Sequence, residues 1–274
     1  MNAEHRIGDE EVAILVNDVL ETYGYDFTDY SRASLKRRVN RLFVLDKFPS
    51  FAELRYRLRN DRDYLRRFIE EITVNVTEMF RDPSFYNTIR NEVIPFLATH
   101  PLIRIWHAGC STGEEVYSMA ILLEEAGLLH KSLLYATDIN PQVLETAKKG
   151  IFPLAQMKQY SENYIAAGGK KDFSGYYIAN YNRAKFDARL GEKILFATHN
   201  LVSDRSFNEF QLILCRNVLI YFDQNLQDRA IQLFDESLEG LGYLALGSKE
   251  TLKFSDVAQN YKQLGKEKIW RKVK

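Results

Sequence analysis

From residue 102 onward, short apolar runs alternate with amphipathic stretches. That alternation restricts this part of the chain to a parallel sheet with crossover helices. Ile103-Arg104-Ile105-Trp106 predicts a first strand. A helix over 114–127 follows, with Val116, Met119, Ala120 and Leu123 turned inward, and residues 133–136 make a second strand. The two strands lie about thirty residues apart, the spacing of one βαβ unit. A further helix starts over 141–149. Strands are predicted at 194–197, 211–214 and 242–246, with a helix over 227–239 and a last, antiparallel strand at 268–271. Residues 151–192 break the rhythm. They are rich in tyrosine and hold Gly168-Gly169 and Gly175. A helix over 153–167 and short antiparallel strands at 176–178 and 184–190 predict a small inserted β-rich subdomain.

Residues 1–75 are helical by period. Val12, Leu15, Val16, Val19 and Leu20 mark a first helix; Leu35, Val39, Leu42 and Phe43 a second; Phe51, Leu54 and Leu58 a third, started at Pro49-Ser50; and Tyr64, Leu65, Phe68 and Ile69 a fourth. Residues 76–100 form a linker and a longer helix at about 83–98. The expected architecture is a small all-helical domain over 1–75 followed by a Rossmann-like α/β domain over 101–274. Formal net charge is zero, so the molecule as a whole has no general attraction to nucleic acid or anionic lipid. There is no run of eighteen apolar residues and no signal-peptide order, which makes the cytoplasm the expected compartment. Two cysteines, Cys110 and Cys215, are no disulfide framework, although both would end neighbouring strands. Asn75-Val76-Thr77 matches a glycosylation pattern that carries no weight without export.

The segment 105–115, Ile-Trp-His-Ala-Gly-Cys-Ser-Thr-Gly-Glu-Glu, carries the most chemistry. Gly109 and Gly113 permit a tight turn and close ligand approach between strand and helix. The segment is neither GxGxxG nor a phosphate loop ending in GK[ST], which argues against nicotinamide cofactors and ATP. Asp138 follows the second strand, where an acid can take the hydroxyls of a ribose. Glu114 and Glu115 head the crossover helix. Carboxylates there repel a pyrophosphate but suit a cation, and S-adenosylmethionine carries a sulfonium and an ammonium group. Alone, the two acids would also serve the helix dipole. Asn217, at the carboxyl end of a buried strand, can bond the amino-acid part of this cofactor; Asn200 and Leu201 can hold its adenine. No metal cluster is visible, and no metal is expected.

Four segments then resemble the CheR-type chemotaxis receptor methyltransferases: 72–82 (ITVNVTEMFRD), 108–118 (AGCSTGEEVYS), 135–140 (YATDIN) and 215–222 (CRNVLIYF). A fifth, 247–252 (GSKETL), is weaker. The resemblance implies a protein-glutamate O-methyltransferase acting on the cytoplasmic part of a chemoreceptor. Cofactor contacts would be at Asn75, Thr77, Arg81, Glu115, Asp138, Asn200, Leu201, Arg216 and Asn217, with Glu114 as alternate to Glu115. The active-site arginine falls on Arg81 and the tyrosine on Tyr221. Without the resemblance, residues 75–81 read as a loop capping a helix. Val116 stands where proline is common, a change at the helix start with no expected chemical effect. The insertion at 168–175 matches neither the tether-binding nor the tether-independent form in preference.

A glutamate acceptor is already ionised at neutral pH, its reference pKa being about 4.3. No general base and no histidine–acid pair are therefore expected, and His107 and His199 read as structural. Arg81 would steer the acceptor or bind cofactor, and Tyr221 would orient the acceptor. The basic segment 32–67 holds Arg32, Lys36, Arg37, Arg38, Arg41, Lys47, Arg55, Arg57, Arg59, Arg62, Arg66 and Arg67 against Asp46, Glu53, Asp61 and Asp63. It reads as a docking surface for glutamate-rich helices or as a solvated face. A nucleic-acid methyltransferase is disfavoured because Arg216-Asn217-Val218-Leu219 stands where such enzymes carry (Asp/Asn)-Pro-Pro-(Tyr/Phe). A non-catalytic cofactor-binding module is the other alternative. The sequence does not set the oligomeric state, and a monomer is one state compatible with it.

Overall fold

The computed structural model describes residues 6–73 and 77–274, and the chain divides into two units: residues 1–75 with 220–229, and residues 76–219 with 230–274.

The first unit is built on four helices: α1 (Asp9–Tyr23), α2 (Arg32–Leu45), α3 (Phe51–Asn60) and α4 (Arg62–Ile72). Each puts most of the apolar stripe expected from its period inside, with Leu20 and Phe51 half-buried; on α2 the buried residues are Leu35, Val39, Leu42 and Phe43. Ser50 caps α3, its hydroxyl accepting from Glu53 N, and Asp61 caps α4 by accepting from Asp63 N and Tyr64 N. Such caps satisfy donors that a helix start leaves unpaired. The basic segment is largely neutralised within this unit. Buried Asp18 accepts from Arg55 Nε at 2.5 Å and Arg59 at 3.0 Å, Asp46 pairs with Arg67, and Glu71 with Arg41. Residues 220–229 join this unit through backbone bonds, Ser31 N to Tyr221 O at 2.8 Å and Asp223 N to Asp29 O at 2.9 Å. Tyr30 and Phe222 meet edge to face at 5.0 Å between ring centroids.

The second unit opens with one helical run, α5 (Pro83–Thr88), a π-turn (Ile89–Val93) and α6 (Ile94–Ala98). Pro95 has no N–H to give to the carbonyl four residues back, so the helix widens there and Ile94 N bonds Ile89 O instead. The strands β1 (Ile103–Ala108), β2 (Ser132–Asp138), β6 (Ile194–Thr198), β7 (Phe210–Cys215) and β8 (Leu238–Leu246) run parallel. The strands β9 (Tyr261–Gln263) and β10 (Ile269–Lys272) complete the sheet. Its order is β6-β2-β1-β7-β8-β10-β9, with β10 antiparallel to both neighbours. The helices α7 (Glu114–Glu125), α8 (Pro141–Lys149) and α11 (Gln224–Ser237) are crossovers. This is the Rossmann-like arrangement that the alternation predicts. Its strand order reverses between β1 and β7, so the crevice outside their carboxyl ends is where an open α/β sheet takes a ligand.

The insertion comprises β3 (Ile151–Pro153), α9 (Met157–Ala166), β4 (Tyr177–Asn180), β5 (Arg183–Phe186) and a helical turn, α10 (Ala188–Gly191). Its three strands pair antiparallel in the order β3-β5-β4. The strand expected over 184–190 ends at Phe186, because the Asp187 carboxylate accepts from Arg189 N and starts the helical turn. The helix expected to reach 239 gives way to β8 at Leu238. The insertion is tied to the rest of its unit around buried Glu125. That carboxylate accepts from the hydroxyls of Tyr164 and Tyr176 and from Lys170 N, and pairs with Arg90 at 2.6 Å. Asn87 and Arg90 donate to the carbonyls of Ala166 and Ala167, both at 2.9 Å.

Candidate cofactor site

At the carboxyl end of β1 the chain turns through Gly109 (φ +78°), Ser111 (φ +50°) and Gly113 (φ +97°) into α7. A Cβ on Gly109 would stand 2.4 Å from Val218 Cγ2, and one on Gly113 would stand 2.9 Å from Ala147 Cβ. Positive φ and close approach coincide, so glycine is required at both. Gly109 N and Cys110 N donate to Thr137 O at 2.8 and 2.9 Å, which fixes the loop against β2. The Cys110 thiol is buried, which pushes its pKa well up.

Asp138 ends β2. One oxygen accepts from Ser111 N and the other from Asn140 N, each at 2.9 Å. Burial pushes its carboxyl up while those backbone donors pull the other way. Glu114 is buried and accepts from the Thr112 hydroxyl at 2.7 Å, and burial raises its carboxyl too. Glu115 behaves oppositely. Burial pushes it up, but His107 and Arg216 outweigh burial and hold it below the ordinary carboxylate range. His107 Nδ1 lies 2.9 Å from Glu115 Oε1, and Arg216 Nη1 donates to Oε2 at 3.2 Å. A histidine–acid pair was not expected here, since the acceptor needs no base. The structure corrects that, with His107 fully buried at the end of β1.

Arg216 follows β7. It donates to Asp82 Oδ2 at 2.7 Å and to the Arg81 carbonyl at 3.1 Å, and its guanidinium lies 4.1 Å over the Phe85 ring. Burial lowers its basicity, but Glu115, Tyr86 and Asp82 raise it further. Asn217 sits at φ +62° and donates its N–H to buried Glu250 at 3.0 Å; the same Glu250 oxygen accepts from Gly247 N at 2.5 Å. The segment 77–82, which carries half-buried Thr77 and Arg81, is fixed from behind: Phe80 N donates to Ser118 Oγ, and Asn163 donates to Met79 O, both at 3.0 Å. After β6, His199 N donates to Asp138 O, and the Asn200 amide oxygen accepts from Val202 N; Leu201 beside it is buried.

Gly109, Glu114, Glu115, Asp138, Arg216 and Asn217 thus lie about the carboxyl ends of β1, β2 and β7, where Arg216 holds the Arg81 carbonyl, while Asn200 and Leu201 follow His199, whose N–H reaches the Asp138 carbonyl. Asn75 lies outside the described residues. Tyr221 belongs with the helical unit, where its carbonyl accepts from Ser31 N. Sequence reasoning passed over His107, Asp82 and Glu250 as site residues. Asp82 and Glu250 fall inside segments already singled out; for His107 the only signal was its place at the end of the first strand.

The donor set fits S-adenosylmethionine. The buried carboxylates of Glu114 and Asp138 and the half-buried one of Glu115 lie where a cation can be received, and among the described residues the Ser111 hydroxyl and Arg216 Nε are buried without a hydrogen-bond partner. Among the described residues no group of His, Cys, Asp and Glu is placed to hold a metal, and no helix is long and apolar enough to cross a membrane.

Comparison with known proteins agrees. Residues 75–269 match the family described as CheR methyltransferase, SAM binding domain, and residues 10–73 match CheR methyltransferase, all-alpha domain. Cher3 of Pseudomonas putida is 48% identical over 267 residues, spanning 96% of this chain and 97% of that protein. The chemotaxis protein methyltransferase of Listeria innocua is 35% identical over 233 residues (84% of this chain, 85% of its own), and that of Salmonella typhimurium 29% over 260 residues (90% and 85%). The fold and site are those of an S-adenosylmethionine-dependent methyltransferase. The chain belongs to the CheR methyltransferase family.

Proposed function

We propose that this enzyme methylates glutamate side chains on the cytoplasmic part of a chemoreceptor, giving glutamate methyl esters and S-adenosylhomocysteine. The observation that carries the reading is the half-buried Glu115 carboxylate, kept ionised by His107 and Arg216 beside Asp138 at the sheet's switch point. A site so charged disfavours a pyrophosphate and favours a cationic cofactor, and the family relationship supplies the acceptor.

When bound, the cofactor supplies an electrophilic methyl group on a sulfonium. Glu115 and Asn217 would hold its amino-acid end, Asp138 its ribose, and Asn200 and Leu201 its adenine, while Gly109 lets the backbone come close. Thr77, Arg81 and, by resemblance, Asn75 would border it from the 75–82 segment. The acceptor glutamate is ionised and needs no proton removed, so the protein's work is alignment and exclusion of water. Positioning of this kind contributes up to about 7–11 kcal/mol in favourable models. Arg81 would orient the incoming carboxylate, with Tyr221 as a second orienting group. The helical domain over 1–75 would recognise the receptor, with Arg32, Arg37 and Arg62 as exposed cations suited to an acidic helix. The enzyme would work in the cytoplasm.

The test uses purified protein, tritiated S-adenosylmethionine and membranes carrying receptors. Label on the receptor that base releases as volatile methanol, and that Arg81→Ala abolishes, supports the reading. Base-stable label would identify a different acceptor chemistry and refute it.

A further inference from the structure

His107 is fully buried at the end of β1, yet its ring reaches forward across the turn to the second residue of α7. Glu115 is ionised and can only accept, so the 2.9 Å contact assigns the proton to Nδ1. The other ring nitrogen, Nε2, is buried with no hydrogen-bond partner among the described residues. A buried polar atom left unpaired costs free energy, so a leucine-sized apolar side chain would serve the core at least as well. What the imidazole adds is one directed bond to Oε1.

That bond fixes how Glu115 is shared. With Oε1 held by His107, only Oε2 leans on Arg216, at a long 3.2 Å, while Arg216 makes its shorter bond, 2.7 Å, to Asp82. Without His107 the carboxylate is free to turn onto Arg216 and form the two-pronged pair that guanidinium and carboxylate favour. Both oxygens would then be turned from the crevice, and Arg216 would be drawn from Asp82 and the Arg81 carbonyl.

We propose that His107 is a positioning residue for cofactor binding, which keeps Glu115 aimed at the ammonium group of S-adenosylmethionine instead of closing on Arg216. This rests on the reading of Glu115 as a cofactor contact. The test is calorimetric titration of the whole protein with S-adenosylmethionine for His107→Leu, His107→Asn, Glu115→Gln and the Leu/Gln double variant, with Tm measured on each. His107→Leu should weaken binding about tenfold and leave kcat at saturating cofactor within about threefold. His107→Asn, whose amide N–H can replace Nδ1, should restore most of the affinity. The double variant should bind no more weakly than Glu115→Gln alone, since His107 acts only through Glu115. Unchanged affinity in His107→Leu, or equal losses in the Leu and Asn variants that follow Tm, would overturn the proposal. Unchanged affinity in Glu115→Gln would instead remove the cofactor reading beneath it.

Discussion

Gly109→Ala tests the tight turn that shapes the crevice. Two costs are written into its geometry. A residue with a Cβ at φ +78° pays about 1–2 kcal/mol for the left-handed conformation. The new methyl would also stand 2.4 Å from Val218 Cγ2, a clash relieved only by moving Val218 or the loop, at about 1–3 kcal/mol. Reduced freedom of the unfolded chain returns about 0.4–1 kcal/mol, so a net loss of about 2–4 kcal/mol is expected. Val218→Ala removes Cγ2 and leaves Cβ at an ordinary 3.5 Å. In that background Gly109→Ala should cost only the conformational part less the same return, roughly 0.5–1 kcal/mol. Denaturant midpoints of the single and double variants, followed by Trp106 fluorescence, give both numbers, and titration with cofactor reports the crevice. Equal costs of Gly109→Ala with and without Val218 would refute the steric argument. A stable single variant that binds cofactor normally would refute the whole account of the turn.

Arg216→Ala leaves half-buried Glu115 beside His107 without its cation and should destabilise the second unit by roughly 2–3 kcal/mol; Arg216→Lys should recover little, because a point charge cannot reach Glu115, Asp82 and the Arg81 carbonyl together. Thermal melts of the two variants check this. Glu125 supplies a pH dependence. Burial pushes its carboxyl up, but Tyr164, Lys170 N and Arg90 prevail and hold it low, so its contribution is present above the unfolded carboxylate pKa of about 4.3 and is lost as pH falls through the lower folded value. Hydrogen-exchange protection factors over 157–186 should therefore fall below about pH 4.3, and Glu125→Gln should show that looseness already at neutral pH.

The chain's periodicity was enough to place the four N-terminal helices and the five parallel strands, because each buries one face or a continuous apolar run. It could not place β3 or β9, which have three residues each and no period to read. It extended the 184–190 strand too far because Ala184, Phe186 and Leu190 share one apolar rhythm, while a single side-chain cap at Asp187 decides the change to helix. The glycine turn, Asp138 at a strand end and the Glu114–Glu115 pair at the following helix start were legible as positions, because strand ends and the turns after them in an α/β sheet have a fixed chemical meaning. The pairing of His107 with Glu115 was not, since it spans a turn whose course depends on two positive-φ glycines. Nor could pattern reveal that residues 220–229 pair with residues 29–31, a backbone contact between segments nearly two hundred residues apart.

The seating of β10 between β8 and β9 bears on how the molecule is made. Both neighbours are synthesised before the strand that joins them. Until Ile269–Lys272 is seated, the β8 edge has bare N–H and C=O groups, and β9 has no sheet to join. Such an edge invites pairing with another nascent chain. Only when Ile269–Lys272 leaves the exit tunnel can the gap be filled from within. The sheet therefore closes on that side only after the strand made last of the three is in place, and a chaperone that shields the β8 edge until then would raise the yield of folded enzyme.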